Sequence, residues 1–372
     1  MKKYTLKALM ALTGLCLTIP SFAGNKDRSG QAGAQQLLIN PWASTTGVFG
    51  SNIAHVRGLE AMKANIAGLA YTDGTEFGFS YGAYLRGTNV SIQNLGFAQK
   101  LGNLGVLGIN LQSTNFGEID VTTWNNPDAG VGSYKPSFFN IQLGFAKEFS
   151  RSIHAGVGVT YVSEAISNIR ASGACFEAGV QYTTGVDDNF HFGVTLRNVG
   201  TNMRFSGEGF SINSEAPNNT YLVSRETPSE KYEMPTYLAL GTSYDFYLDK
   251  NKLKNSDDQP KHRLTAMATF TSNSFNNDYF GVGLEYGFRE KIMVRAGYRY
   301  EKDINSFDNS TTFYKGFSAG LSAGTRLSAK GPKLMLDYSF RPTQRPDNGV
   351  HMFSIRLNLL SKKGAAAEEI PE

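Results

Sequence analysis

Cysteine is scarce in this chain of 372 residues, and no long apolar stretch follows the N-terminus. One of the two cysteines, Cys16, lies in the N-terminal stretch, so Cys175 alone cannot form a disulfide within the remainder. No apolar run of about 18 residues exists there, which excludes a helical membrane protein. The formal net charge of only +4 gives no reason to expect nucleic acid or a strongly charged substrate as a partner.

The first 23 residues are typical of a secretory signal peptide. Lys2, Lys3 and Lys7 supply the positive start, residues 8–19 form a short apolar run, and residues 21–23 end on small side chains. Without this segment the chain carries 33 basic and 32 acidic side chains. We therefore expect an exported protein that is stabilised by core packing, a closed sheet or a membrane rather than by disulfides.

From residue 75 onward, side-chain character alternates with a period of two, as strands require. At 280–288, for example, Phe280 and Val282 oppose Gly281 and Gly283. The segments are long compared with the average of about five or six residues for strands of soluble proteins, and they suit tilted membrane strands of about 9 to 11. Fourteen are predicted: 75–86, 88–101, 104–115, 136–149, 152–164, 171–183, 189–199, 236–248, 262–272, 278–289, 291–302, 313–326, 332–341 and 350–360.

Connection lengths favour the same architecture. If the first strand runs outward, the odd-numbered connections include the long segments 116–135 and 200–235, whereas most even-numbered ones are short. Long loops on one side and short turns on the other are typical of bacterial barrels. We predict an all-β fold, a 14-stranded transmembrane antiparallel β-barrel over residues 71–360, followed by a disordered periplasmic tail over 361–372. The alternative is a large soluble β-sandwich or propeller, although no blade repeat is visible.

The pattern G-x-S-x-G, typical of hydrolase nucleophiles, occurs at 78–82 and twice within 316–324. A nucleophile elbow needs a sharp turn between strand and helix. Here the alternation continues through each copy and turns Ser80, Ser318 and Ser322 inward. The five histidines (His55, His154, His191, His262 and His351) are scattered, without dyad or metal spacing. We therefore predict no catalytic residue, metal or cofactor.

Residues 24–70 lack the membrane alternation and are long enough to fill the lumen of such a barrel as a plug. The prediction assigns Asn40, Pro41 and Trp42 to structural positions in this plug, together with Asn65 and Gly68. Charged residues on inward positions either bind the plug or line a solvated lumen; they are Glu285, Arg295, Arg299, Glu301, Asp337 and Arg356.

The plug sequence carries a family resemblance. Residues 65–70, NIAGLA, resemble the Asn-Pro-Ala-Gly-Leu hatch motif of the FadL-like barrels, with Ile66 in place of proline. The wider stretch 30–70 is similar to the PorV/PorQ family of outer-membrane barrels. Residues 196–211, 233–246 and 262–302 extend this similarity over most of the chain beyond the signal peptide.

The resemblance implies an outer-membrane component of the type IX secretion system of Bacteroidetes. Such a barrel accepts cargo with a C-terminal signal domain from the SprA (Sov) translocon and passes it to the PorU sortase complex, which attaches it to lipopolysaccharide. The outer loops would then carry recognition. Aromatic side chains in polar loops are the candidate anchors, because exposed aromatics often dominate interfaces; they are Trp124, Tyr134, Phe205, Phe210, Tyr221 and Phe307.

Two alternatives remain open. FadL-like barrels transport hydrophobic molecules, which would require an apolar internal pocket, and the inward positions are mostly glycine, serine and charge. PorV-like proteins have also been proposed as lipopolysaccharide O-deacylases, for which the G-x-S-x-G copies are the sequence support.

Overall fold

The structure is a computed structural model. It describes residue 24 and residues 26–85, 87–128, 131–215, 222–249, 261–306, 308–327, 331–344 and 348–360. The predicted signal peptide, the predicted tail, and the predicted anchors Tyr221 and Phe307 lie outside these ranges.

Eighteen strands follow one another in the described part of the chain, and fourteen of them close into one antiparallel barrel. The prediction of a 14-stranded barrel is therefore confirmed. The barrel strands are β1 (Gly74–Leu85), β2 (Val90–Lys100), β3 (Val106–Asn115), β6 (Ser137–Ser150), β7 (Ile153–Ile166), β8 (Ile169–Thr184), β9 (Phe190–Gly200), β12 (Tyr237–Tyr247), β13 (His262–Asn273), β14 (Tyr279–Phe288), β15 (Ile292–Glu301), β16 (Phe317–Arg326), β17 (Lys333–Arg341) and β18 (Val350–Leu360).

Closure is made by the first and last strands. Strand β1 pairs with β18 from Gly74 opposite Leu360 to Ala83 opposite His351, so neither strand leaves a free edge. An open edge in lipid would leave backbone N–H and C=O groups without hydrogen bonds. The β1–β18 pairing provides hydrogen-bond partners for the backbone groups that an open sheet would leave unpaired.

The two faces of the wall have the chemistry that alternation predicts. Large apolar side chains point outward along the strands and remain exposed, for example Val157 at 58% and Leu284 at 53%. Inward neighbours such as Ser318 and Thr160 are fully buried. In the described residues, no helix has the length and apolar character needed to cross a membrane. The outward apolar band belongs to strands, which suits contact with lipid.

The segment before β1 lies inside the barrel, and we call residues 26–72 the plug. It contains the helix α1 (Ala43–Gly47) and four 3₁₀ helices at Lys26–Arg28, Gln35–Leu38, Gly58–Lys63 and Ile66–Tyr71. Trp42, Leu59, Met62 and Leu69 are fully buried, in one cluster with wall residues such as Ala98. Each large apolar side chain buried in this way contributes about 1.5–3 kcal/mol relative to an exposed one.

Two hairpins outside the barrel were not predicted. Strands β4 (Ile119–Asp120) and β5 (Ser133–Tyr134) pair between β3 and β6, and β10 (Ser211–Glu215) pairs with β11 (Leu222–Glu226) between β9 and β12. Glu208–Phe210 form a 3₁₀ helix before β10. Both hairpins connect strands at the same end of the barrel, because β3 and β9 run in the same direction. We call this the long-loop end.

Candidate functional site

The plug lies close against the wall at the predicted hatch residues 65–70. Asn65 is fully buried and donates through Nδ2 to the carbonyl oxygens of Ile53 (3.0 Å) and Val180 (3.1 Å). Its Oδ1 accepts from the backbone N–H of Ala67, which caps the 3₁₀ helix that follows. One side chain thus begins the hatch helix and attaches it to strand β8.

Inward glycines receive the hatch. A methyl group on Gly156 would lie 2.8 Å from the carbonyl oxygen of Ile66, and one on Gly179 would lie 2.1 Å from Oδ1 of Asn65. Gly144 and Gly158 similarly face the Ile66 side chain. A side chain at any of these four positions would push the plug away, so glycine is needed for close backbone approach. We call these four residues of strands β6, β7 and β8 the glycine arc.

The predicted plug residues Asn40, Pro41 and Trp42 lie beside strand β1, which contacts Pro41 through Ser80 and Trp42 through Gly78. Asn40 donates to the carbonyl oxygen of Lys63 (3.1 Å) and accepts from the backbone N–H of Trp42 (2.9 Å). The Trp42 ring contacts Gly78 of β1, where a methyl group would approach it to 2.5 Å. Gly68, another predicted plug residue, lies against the carbonyl oxygen of Val56 with no room for a methyl group.

Buried charges also hold the plug. We call the charged arc the six wall residues Asp245, Arg263, Glu285, Arg295, Asp337 and Arg356. Arg263 Nη2 lies 2.7 Å from Glu285 Oε1, and Arg356 Nη2 lies 3.0 Å from Asp337 Oδ2. Arg295 contacts both Glu285 and Asp337. These pairs form one continuous chain of ions along strands β12 to β18.

The charged arc reaches the plug at Glu60, whose carboxylate contacts Arg356. Burial raises the pKa of Glu60 to about 7, and the Arg356 charge opposes this shift. Burial also lowers the pKa of Lys63 in the plug to about 8, against the opposing charge of Glu177. The pKa of His55 falls to about 3, again mainly through burial. The plug therefore places ionisable groups where water does not screen them.

Arg299 and Glu301 of β15 pair with each other instead of extending this chain. The Arg299 guanidinium lies 3.7 Å from the centre of the Tyr279 ring and 5.7 Å from that of Phe49 in the plug. This arrangement is a cation–π contact between wall and plug.

The serines of the G-x-S-x-G copies face inward. Ser80 donates to the carbonyl oxygen of Pro41, and Ser318 donates to that of Gly47 at 3.0 Å. Ser322 donates to Asp337 of the charged arc. Two of the three hydroxyls are therefore hydrogen-bonded to the plug backbone.

The predicted aromatic anchors differ in their surroundings. Trp124 is completely exposed between β4 and β5, whereas Tyr134, in β5, is half-buried. Phe205 packs beside Tyr232 against the buried Met203 and Met234, so it covers the barrel mouth. Phe210, at the end of its 3₁₀ helix, is half-buried.

Four exposed apolar side chains at the long-loop end were missed. They are Ile119 (39%), Val131 (52%), Ile212 (63%) and Val223 (40%). Ile212 and Val223 belong to the β10–β11 hairpin, whose five-residue strands are too short to give a clear alternation signal.

The prediction that the histidines are scattered is wrong for one pair. The rings of His55 in the plug and His191 in β9 have centres 5.1 Å apart, and Asp245 lies beside both. His55 and His191 are distant in sequence, and only barrel closure around the plug brings them together.

Comparison with known proteins supports the fold alone. No family model matches the chain, and no curated protein sequence does either. The monoaromatic hydrocarbon channel CymD is similar in structure, with a TM-score of 0.50 and 12% identity over 87% of this chain and 98% of that one. The Pseudomonas putida toluene transporter TodX has a TM-score of 0.51 and 12% identity over 86% and 97%.

A Pseudomonas aeruginosa FadL homologue is also similar, with a TM-score of 0.47 and 12% identity over 85% of this chain and 97% of that one. At the level of fold, the chain is a closed 14-stranded antiparallel β-barrel similar to the barrels of the hydrocarbon channel and the toluene transporter.

Proposed function

We propose that this outer-membrane barrel works by binding a protein partner at its long-loop end, and that the partner belongs to the type IX secretion system. The observation that carries the proposal is a contrast between the lumen and the loops. The plug is packed and ion-paired to the wall, whereas Trp124, Val131 and Ile212 offer apolar surface at the long-loop end. Exposed apolar side chains of this kind are typical of interaction sites.

The type IX role rests on the sequence resemblance over most of the chain. In this proposal the loops bind cargo carrying a C-terminal signal domain at the SprA (Sov) translocon and present it to the PorU sortase complex. The barrel binds and releases its partner without catalysing a reaction.

Affinity capture tests this proposal. Tagged wild type, the variant W124A/I212S and the control V186S are purified from detergent-solubilised outer membranes, and co-purified proteins are identified by mass spectrometry. Val186 is a suitable control because it is 98% exposed in a short turn at the opposite end. We expect wild type and V186S to retain the translocon, the sortase or signal-domain cargo, and W124A/I212S to lose it. Equal recovery with all three proteins would contradict a role for these loops.

A second candidate is transport of small hydrophobic molecules. A groove of about 480 Å³ lies on the outer wall, with Phe145, Val157, Val180 and Leu196 among its lining residues. It includes Gly156 and Gly179, behind which the hatch packs, so little more than backbone separates the groove from the plug. The two fold relatives with the higher TM-scores are a hydrocarbon channel and a toluene transporter, which favours this candidate.

Uptake of labelled toluene or a labelled fatty acid separates the two candidates. Under the transport proposal, cells with the protein take up more label than cells without it, and Val180→Trp, which fills the groove, removes the difference. If the barrel instead binds a protein partner at its long-loop end, uptake is the same in cells with the wild-type protein, with the Val180→Trp protein and without the protein. Capture of only lipid or a small hydrophobic molecule in the first experiment would also favour transport.

The deacylase alternative has a direct test. The triple variant S80A/S318A/S322A should lack lipopolysaccharide deacylation if these serines are catalytic. We expect no change in the lipid products, because Ser80 and Ser318 are engaged with plug carbonyl groups.

A further inference from the structure

Two histidines and an aspartate meet where the plug contacts the wall. His191 Nε2 lies 3.1 Å from Asp245 Oδ2, and His55 Nδ1 lies 3.9 Å from the same oxygen. One nitrogen or oxygen from each residue falls within 4.8 Å of the others. A tetrahedral zinc site with bonds of about 2.0–2.1 Å brings its ligand atoms to roughly 3.3 Å from each other. A modest rotation of the His55 ring would bring the three ligands to that spacing.

The His55 nitrogen in this cluster has no hydrogen-bond partner among the described residues. This nitrogen, Nδ1, is buried. A buried nitrogen of this kind is costly unless it gains a partner. The side chain is 17% exposed. The cluster lies near the start of β9 and the end of β12, at the end of the barrel opposite the long loops.

The other two residues are held by neighbours. Thr183 Oγ1 lies 3.2 Å from Nδ1 of His191, and the Thr265 hydroxyl donates to Oδ1 of Asp245. Nε2 of His191 and Oδ2 of Asp245 are hydrogen-bonded to each other at 3.1 Å, and both lie within 4.8 Å of a His55 nitrogen. Partners behind the ligands are a regular feature of metal sites, because they fix ring orientation and tautomer.

The chain of ions that ends at Asp245 contains more carboxylates than guanidinium groups. Asp245 is one end of the chain of ions that continues through Arg263 and Glu285 to Glu60 in the plug. That chain contains five carboxylates (Asp245, Glu285, Glu290, Asp337 and Glu60) and three guanidinium groups (Arg263, Arg295 and Arg356), so it carries two excess negative charges when all are ionised.

Two arginines oppose a cation locally. The charge of Arg57 contributes to the lowered pKa of His55. Arg263 Nη1 lies 3.5 Å from Nε2 of His55. A metal at Nδ1 would move the imidazole proton to Nε2 and end the second contact. Arg263 would keep its ion pairs with Asp245, Glu285 and Glu290.

We propose that His55, His191 and Asp245 bind a divalent transition-metal ion of the zinc type and that this ion fastens the plug to the wall. Two imidazoles and one carboxylate are a ligand set that zinc accepts, with the fourth position taken by water. His55 comes from the plug, whereas His191 and Asp245 come from β9 and β12. The metal therefore crosslinks the two parts of the molecule.

Zinc content and affinity test the proposal. The full chain, purified in detergent with a tag free of histidine, is stripped with EDTA, incubated with zinc chloride and desalted. Zinc per chain is measured by mass spectrometry of the element, and affinity by calorimetry. We expect roughly one zinc per chain for wild type. Loss of a residue that hydrogen-bonds a metal ligand typically weakens metal binding ~10- to 100-fold, and we expect a decrease of this size for Thr183→Val. H55Q and D245N remove a ligand itself, so their affinity for zinc should fall at least as far.

His154→Gln is the matched control, because His154 is also buried and stacks on Tyr71 of the plug at 4.0 Å. It should bind zinc as wild type does. A second readout is the urea concentration that releases the plug: zinc should raise it in wild type and H154Q, but not in H55Q. Heat-modifiable migration in electrophoresis verifies that each variant forms a barrel. Wild type that binds under one-tenth equivalent of zinc, or folded H55Q that binds as wild type does, would overturn the proposal.

Discussion

Two groups of wall residues hold the plug, and their chemistry differs. At the four positions of the glycine arc the wall lacks side chains, and the hatch residues Asn65 and Ile66 lie almost against its backbone, although a buried pair, Arg197 with Glu177, occupies the same part of the wall. On the charged arc, long side chains extend from the wall, and Arg356 meets the plug carboxylate of Glu60. Inward positions that look equivalent in a strand pattern therefore serve either close approach or ionic contact.

The two groups should also respond differently to substitution. Close packing tolerates no added volume, whereas a buried ion pair tolerates replacement of both partners better than loss of one. The chain contains two tryptophans, Trp42 in the plug and Trp124 in a loop, so a Trp124→Phe background makes fluorescence a report on Trp42 alone. In the predictions below, plug release is the red shift of Trp42 emission in urea.

The largest effect is expected from Arg356→Met at pH 8. The substitution leaves the buried Glu60 without its guanidinium partner and leaves Asp337 with only Arg295, at 3.9 Å; breaking such a buried pair costs about 3–5 kcal/mol. The pKa of Glu60 is about 7 with Arg356 beside it, and loss of this charge raises that pKa further, so the destabilisation should be larger at pH 8 than at pH 6. We expect plug release at a much lower urea concentration. Arg151→Met is the control: its ion pair with Asp188 is 85% exposed on the arginine side, and such exposed pairs contribute little to stability.

The combination E60Q/D337N/R356M sharpens this test. Removing all three charges should restore most of the lost stability, because the cost comes from unpaired charge. If R356M alone behaves as R151M does, the charged arc does not hold the plug.

A smaller effect is expected from Gly68→Ala. The added methyl group would lie 2.1 Å from the carbonyl oxygen of Val56, and such overpacking typically costs about 1–3 kcal/mol. Gly287→Ala is matched, because the nearest atoms there are the ends of the Glu290 and Arg263 side chains at 3.2 and 3.4 Å, which can move. Plug release should come earlier in G68A than in G287A. The same urea midpoint for both would show that close approach is not a constraint.

The smallest effect is expected from Ser80→Ala. It removes one hydrogen bond to Pro41 of the plug, worth about 0.5–1.5 kcal/mol. Ser318→Ala removes the equivalent bond to Gly47 and should shift plug release by a similar amount. A shift as large as that of R356M would mean that hydrogen bonds, rather than the charged arc, dominate plug attachment.

All fourteen barrel strands were predictable from sequence, because a period of two sustained over about ten residues is typical of strands and of no helix. The predicted start of β16 at 313 was four residues early. Phe313 and Tyr314 pack on the plug through Phe49, and Gly316, with φ of 82°, precedes the observed start at Phe317. Contact with the plug overrides the local alternation at this point.

For the lumen, the sequence predicts which types of residue point inward but not which residues contact one another. Inward charge and glycine follow from alternation, but their partners depend on the register of the closed barrel and on the path of the plug. His55 and Asp245 are the clearest case, since the barrel strands from β1 to β9 all lie between them in sequence. Phe205 was predicted as an exposed anchor because it is an aromatic residue in a polar loop. Its side chain instead packs on the buried Met203 and Met234.

The most direct test of a plug fixed in the barrel is collisional quenching of Trp42 by acrylamide in the otherwise wild-type W124F protein. Trp42 has no exposed surface, whereas Trp124 is completely exposed. The structure predicts a blue-shifted Trp42 emission that acrylamide quenches weakly in the native protein and strongly after unfolding. The W42F protein, which retains only Trp124, gives the reference for an exposed tryptophan. If acrylamide quenched Trp42 in native W124F as readily as it quenches Trp124 in W42F, the plug would not stay in the lumen.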